Sequence, residues 1–131
     1  MRVTTELICG MCLIVSSTIA CAQRKETHVM LGRQLAVQAL QEALKNPLKP
    51  VAEQSKSKPL PDSISALRAA EPILFHAYGK QQVLEQKPYE VYLVNQYWVI
   101  IGTLSENVDG GTFRIILDSR NSQIVELTHG K

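Results

Sequence analysis

Beyond residue 21 the chain has no cysteine, because all three of its cysteines, Cys9, Cys12 and Cys21, lie close to the N-terminus. Once such a stretch is removed on export, what remains has no disulfide, no thiolate nucleophile and no cysteine-based zinc site. Histidine is also sparse: His28, His76 and His129 are the only three. A zinc site needs three or four converging ligands, so these read as surface or boundary residues, and no metal or cofactor is expected. Strong charge of either sign is missing as well, since 14 Lys and Arg against 12 Asp and Glu leave a formal charge of +2. That balance argues against a nucleic-acid binder and against an acidic mimic of nucleic acid. The apolar run Leu7–Val15 is shorter than the roughly 20 residues that a bilayer span needs.

What the N-terminus does have is the outline of an export signal. Arg2 supplies a basic start, Leu7–Val15 an apolar segment, and Ala20-Cys21-Ala22 a small-residue cleavage site before Gln23. Residues 1–22 are therefore expected to be a secretory leader, and the protein to be exported to the periplasm. A second reading stays open. Cys21 follows Thr18-Ile19-Ala20 and could accept a lipid, making residues 1–20 a lipoprotein signal and tethering the chain to a membrane. The usual apolar residue three positions upstream is replaced here by Thr18. Removing the leader deletes one Arg and one Glu, so the charge of +2 is unchanged.

The remainder is the size of one domain. Residues 23–29 are polar and read as a mobile tether. Residues 31–45 read as an amphipathic helix, with Ala36, Val37, Leu40, Ala43 and Leu44 at spacings of three and four. Asn46-Pro47 stops it. Residues 49–62, with Pro50, Pro59 and Pro61 around Ser55-Lys56-Ser57-Lys58, form a linker. Asp62 or Ser63 is a natural N-cap for a second helix ending at Tyr78-Gly79. Ile64, Leu67, Ala70, Leu74, Ala77 and Tyr78 share its broad apolar face, and Pro72 is expected to kink or split it. The compact unit is thus expected at 62–131, with the helix and linker of 23–61 dispensable for folding.

Four short runs rich in Val, Ile, Tyr and Leu follow: 89–94, 97–104, 112–118 and 123–129. Turn residues at Asn95-Gln96, Asp109-Gly110-Gly111 and Ser119–Ser122 separate them, as in an antiparallel meander. Alternation puts Tyr89, Val91, Leu93, Trp98, Ile100, Gly102, Leu104, Phe113, Ile115, Leu117, Val125 and Leu127 on one face, under the helix. Tyr92, Val94, Tyr97, Val99, Ile101 and Ile116 make an unusually apolar opposite face. Three covers are open for it: the first helix, a second copy of the chain, or a partner. Tyr92 and Tyr97 are its interface candidates, because tyrosine buries much area at little entropic cost.

Catalytic chemistry is hard to find. The acids Glu85, Glu90, Glu106, Asp109, Asp118 and Glu126 sit at turns or strand edges, where solvated carboxylates belong. Only Glu71, beside Pro72, is placed to face an interior as a base. Asp109-Gly110-Gly111 leads into a strand rather than a helix, which suits a turn better than a phosphate cradle. Gly102 inside a strand marks a bulge or close packing.

Order along the chain adds a resemblance. Tyr78-Gly79, Lys87-Pro88-Tyr89-Glu90-Val91, Tyr97-Trp98-Val99, Gly102-Thr103-Leu104, Gly110-Gly111-Thr112-Phe113, Ile115-Ile116-Leu117-Asp118 and Thr128-His129-Gly130-Lys131 occur in a succession that resembles bacterial immunity proteins with a nuclear-transport-factor-2-like fold. These are the small antidotes of polymorphic toxin systems. The resemblance covers roughly 64–131, about half the chain. It implies a cystatin-like α+β cone, a helix packed on an antiparallel sheet of about four strands, here with an extra N-terminal helix. It also implies a partner, a cognate toxin, bound by surface complementarity without catalysis. Tyr78, Gly79, Pro88, Tyr89, Trp98, Gly102, Gly110, Gly111, Gly130 and Lys131 belong to the shared pattern and read as structural. Rival readings are an envelope module for a small ligand or peptide, a structural lipoprotein, and a cone-fold enzyme using Glu71.

Overall fold

The computed structural model describes residues 27–48 and 58–130. The leader, Cys21, the middle of the linker and Lys131 lie outside the described residues. Strands β1 (Glu90–Val94), β2 (Tyr97–Ile101), β3 (Phe113–Asp118) and β4 (Ile124–His129) form one antiparallel sheet in the order β1-β2-β3-β4. Helices α1 (Gly32–Ala43), α2 (Ser63–Tyr78) and α3 (Lys80–Leu84) complete the fold. It is the expected α+β architecture.

Short connections set the meander. Asn95 and Gln96, both at positive φ, join β1 to β2 in a two-residue hairpin whose twist suits the strands. The register then puts Trp98 opposite Leu117 and Val99 opposite Ile116. Period-two alternation makes two cores. On one face Trp98, Ile100, Phe113, Ile115 and Leu117 pack with Ala66, Ala70 and Leu74 of α2 and Val83 of α3. On the other, Val94, Val99, Ile101 and Ile116 pack with Ala36, Leu40 and Ala43 of α1. Of the three covers open for that face, the first helix is the one found.

This enlarges the compact unit beyond the expected 62–131. α1 supplies a whole core layer, and Leu60 of the linker is buried as well. Leu60 is fixed through its backbone: its N–H donates to the Ser119 carbonyl at 2.7 Å, and its carbonyl accepts from Trp98 Nε1 at 2.8 Å. The residues ahead of α1 are likewise not a tether from residue 27 onward. Val29 N donates to Leu104 O and Glu106 N to Thr27 O, adding a short bridge at His28 and Ser105.

Asp62 caps α2 as expected, accepting from Ser65 N at 2.7 Å while Ser65 Oγ accepts from Asp62 N, a reciprocal capping box. That bond to the Ser65 amide holds the Asp62 carboxyl below the usual range. The helix does not split at Pro72 but runs through it. Pro72 is exposed, and so is Arg68, whose carbonyl loses its usual donor, so water can serve that group while Ala66, Ala70 and Leu74 stay buried. Ile64 and Ala77, expected on the packed face, are exposed in the first and last turns, past the part the sheet covers. Leu93 is exposed too, at the end of an edge strand.

Glu90 departs most from expectation. Its side chain is buried, not solvated, and its two oxygens accept from Leu31 N at 2.7 Å, Gly32 N at 2.8 Å and Tyr92 Oη at 2.8 Å. α1 has no cap of its own, so this carboxylate supplies one from across the sheet, where helix amides are free and the dipole favours negative charge. Glu90→Gln therefore turns one acceptor into a donor facing donors. A loss of about 1–3 kcal/mol is expected in urea denaturation, and Glu90→Asp, which keeps the charge, should recover part of it.

Candidate functional site

The sheet has two functional-looking ends. At the loop end, α3 and the 102–112 connection meet the start of β3 and the end of β4. Gln86 organises this end from a buried position. Its Oε1 accepts from Phe113 N at 2.9 Å, its carbonyl accepts from Thr103 N at 2.9 Å, and its Nε2 lies 3.5 Å from His129 Nε2. Thr103 donates from Oγ1 to Pro88 O at 2.8 Å and meets His28 Nδ1 at 2.9 Å. His28 is thus tied to the body, contrary to its expected place in a tail.

Two glycines are needed here by close approach. A Cβ on Gly102 would overlap the Gln86 side chain and come within 2.9 Å of the Phe113 ring. A Cβ on Gly111 would fall on the Gly130 backbone, where Gly130 N donates to Thr112 O at 2.9 Å. Gly111→Ala must push the end of β4 aside, at an expected cost of about 1–3 kcal/mol measured by thermal melting. Tyr78 packs against the His129 ring at 5.2 Å and Tyr89 edge-on against Phe113 at 5.1 Å. Tyr89 also donates to Val83 O, and its burial, with the Glu71 charge nearby, pushes its hydroxyl up to about 12. Trp98 is buried in the α2 core. Much of the family-type pattern thus gathers in packing contacts. Between Glu85, Gln86, Leu104, Val108, Asp109 and His129 lies an open cleft of about 500 Å³.

At the hairpin end, the Asn95-Gln96 and Ser119–Ser122 turns lie side by side, joined by Ser119 N donating to Gln96 O. Arg120 grips the Asp118 carboxylate with Nε at 2.9 Å and Nη2 at 2.6 Å, and its guanidinium stands 5.9 Å from the Tyr97 ring centre. Those bonds from Arg120 hold the Asp118 carboxyl below its ordinary range. Tyr97 is half-buried at the rim of the α1 core with one side toward this end. Tyr92 sits on the same core, but its hydroxyl is committed to Glu90, which raises its pKa. The structure therefore separates the two sequence candidates: Tyr92 is tied into the α1 anchor, while Tyr97 stands at the tip beside Arg120.

Glu71 is partly exposed and paired with Lys87 Nζ at 3.2 Å. Among the described residues no three His, Cys, Asp or Glu side chains converge as metal ligands. No helix among them is long and apolar enough to cross a membrane. Sequence reasoning missed Gln86, which sits in a polar stretch with no pattern to mark it, and the role of Glu90.

A four-stranded meander with helices on both faces and an interior filled by side chains defines an α+β protein of the nuclear-transport-factor-2 type. Residues 65–131 match the family model described as NTF2 fold immunity protein, and the chain belongs to that family. It is also similar to the Escherichia coli (strain K12) protein described as "Uncharacterized protein YhhH", with 36% identity over 67 residues, 50% of this chain and 53% of the relative. The chain thus matches about half the length of that curated relative. No solved structure matches it.

Proposed function

We propose that this protein is an immunity protein that binds a cognate toxin and neutralises it by occlusion in the bacterial cell envelope. Family membership over 65–131 is the observation that supports this most directly. The geometry agrees: the interior is packed, Glu71 is a surface ion-pair partner, and what the molecule offers is surface. Neutralisation by binding needs complementarity rather than a catalytic group. The hairpin end is the proposed contact surface, with Tyr97 and Arg120 as residue types that anchor interfaces. The envelope location rests on the sequence of residues 1–22.

The test is protection. Cells making the toxin encoded beside this gene, directed to the periplasm, should survive when the protein is co-exported, and the purified pair should form a stoichiometric complex. Survival only when the protein is held in the cytoplasm would overturn the envelope assignment. Absence of both binding and protection would overturn immunity itself. The loop-end cleft supports the second reading, an envelope module for a small ligand or peptide, which that outcome would favour.

A further inference from the structure

We propose that the corner of the molecule carrying Val29, Met30 and Leu31 docks on an anionic lipid bilayer, a contact separate from toxin binding. The first observation is apolar exposure. Among the described residues the exposed large hydrophobic side chains Leu44, Leu48, Ile64, Leu93 and Val108 are scattered singly along the chain. Val29, Met30 and Leu31 are instead consecutive, at 51%, 55% and 46% exposure. Their backbone is not loose. Val29 N donates to Leu104 O at 3.0 Å, Leu31 N donates to the Glu90 carboxylate at 2.7 Å, and His28 meets Thr103 at 2.9 Å. The chain is thus fixed to the body on both sides of Met30 while three apolar side chains in a row stand toward water. That is the arrangement of a contact site rather than of ordinary scatter.

Charge identifies the surface that covers it. Residues 23–33 hold Arg24, Lys25 and Arg33 against Glu26, a net +2, whereas residues 34–131 hold ten cationic and ten anionic side chains. The whole positive balance of the chain beyond residue 22 therefore lies within a few residues of the exposed run. Arg33 is exposed and has no carboxylate partner among the described residues, giving one donor to Leu93 O at 3.0 Å. Glu106, whose N–H is held by Thr27 O, offsets one of these charges. Apolar side chains flanked by cations are what a bilayer surface binds, the former entering the headgroup region and the latter meeting anionic lipid. Position agrees with the proposed toxin surface. Leu31 is held at Glu90, where β1 begins, and the Asn95-Gln96 hairpin lies beyond its far end, about 15 Å along a strand of this length. A bilayer at this corner leaves Tyr97 and Arg120 free to meet a partner.

The experiment uses the Cys21→Ala protein, made with its own leader and purified as the cell processes it, so that no lipid on residue 21 contributes. It is sedimented with vesicles of phosphatidylethanolamine and phosphatidylglycerol, and separately with vesicles of phosphatidylcholine alone. Half-binding is expected at on the order of 1 mM lipid on the anionic vesicles, with about tenfold weaker binding on the neutral ones. Added salt should weaken the anionic case. Met30→Ser/Leu31→Ser should weaken binding about tenfold, and Arg33→Gln about fivefold. All three side chains are exposed, so these variants should melt like the parent. Ile64→Ser, which removes an exposed aliphatic side chain on α2, should bind like the parent. No binding to anionic vesicles, undiminished binding by Met30→Ser/Leu31→Ser, or an equal loss with Ile64→Ser would overturn the proposal. Competition by free glycerol phosphate would do so too, since the corner would then bind an anion rather than a bilayer. So would a dimer that Met30→Ser/Leu31→Ser dissociates, because a second copy would then cover the run. A protein that protects cells yet ignores vesicles leaves the immunity reading intact and removes this one.

Discussion

A shortened chain of residues 58–131 should fail to fold as a soluble monomer, because it lacks the helix that covers half of the sheet. Val94, Val99, Ile101 and Ile116 are all nearly or fully buried beneath α1, and Tyr92, Tyr97 and Val125 pack around them. Fully burying such an aliphatic side chain is worth about 1.5–3 kcal/mol. Exposing four of them thus removes on the order of 6–12 kcal/mol, an upper figure because unfolded chains already bury some surface. That is comparable with the whole stability of a typical domain, about 5–15 kcal/mol. The Glu90 carboxylate would lose both backbone donors of the α1 N-terminus at the same time. Aggregation, or a melt without a cooperative transition, is the expected result. Leu40→Ala in the full chain is the milder version, with an expected loss of about 2–5 kcal/mol and the fold retained. A cooperative, soluble 58–131 with near-parent melting temperature would show that α1 is an accessory after all.

Trp98→Ala should be the most damaging single truncation, while its half-buried neighbour Tyr97→Ala should cost much less stability. Trp98 is 7% exposed in the α2 core, and its indole N–H satisfies the buried Leu60 carbonyl at 2.8 Å. Removing it costs about 3–5 kcal/mol for the cavity, and leaves an acceptor without its donor. The loosened Leu60 also relaxes the approach to the Asp62 cap, so α2 and the β3–β4 turn weaken together. Trp98→Phe should recover most of the packing and none of the hydrogen bond, a difference that denaturant titration can read. Tyr97 lies on the opposite face with its ring toward Arg120. Under the proposed function its truncation costs about 2 kcal/mol in toxin affinity, roughly a thirtyfold weakening, with the melting temperature lowered less than by Trp98→Ala. If Trp98→Ala melts like the parent, the assignment of faces is reversed. If Tyr97→Ala binds toxin like the parent, the contact surface lies elsewhere.

Local chemistry was enough to place most elements. Apolar alternation broken by Asn95-Gln96, Asp109-Gly110-Gly111 and Ser119–Ser122 gave the four strands and the faces of the first three, because a regular strand's side chains alternate. In β4 a bulge opposite Ile116 and Leu117 breaks the alternation, so Val125 packs with α1 while Ile124 and Leu127 pack on the α2 side. The Asp62 cap, the stop at Gly79 and the spacing of Ala36, Leu40 and Ala43 gave α1 and α2, because unpaired helix-end amides and apolar stripes leave a mark in neighbouring residues. The succession of Tyr, Gly and Trp positions pointed to the family, and 65–131 belongs to it.

What sequence spacing could not reach were contacts between residues far apart in the chain. Glu90 looked like a strand-edge carboxylate until α1, 58 residues earlier, brought its bare N-terminus to it. Gln86 gave no sign that Phe113, 27 residues on, would need its oxygen. The sequence left three covers open for the second face; tertiary packing chose α1, because only placement in space shows which of several apolar surfaces are near enough to bury one another. The same holds for Tyr92 and Tyr97, equivalent by alternation, of which one was drawn to Glu90 and the other left beside Arg120. Periodicity determines which way a side chain points; the tertiary structure decides what it meets there.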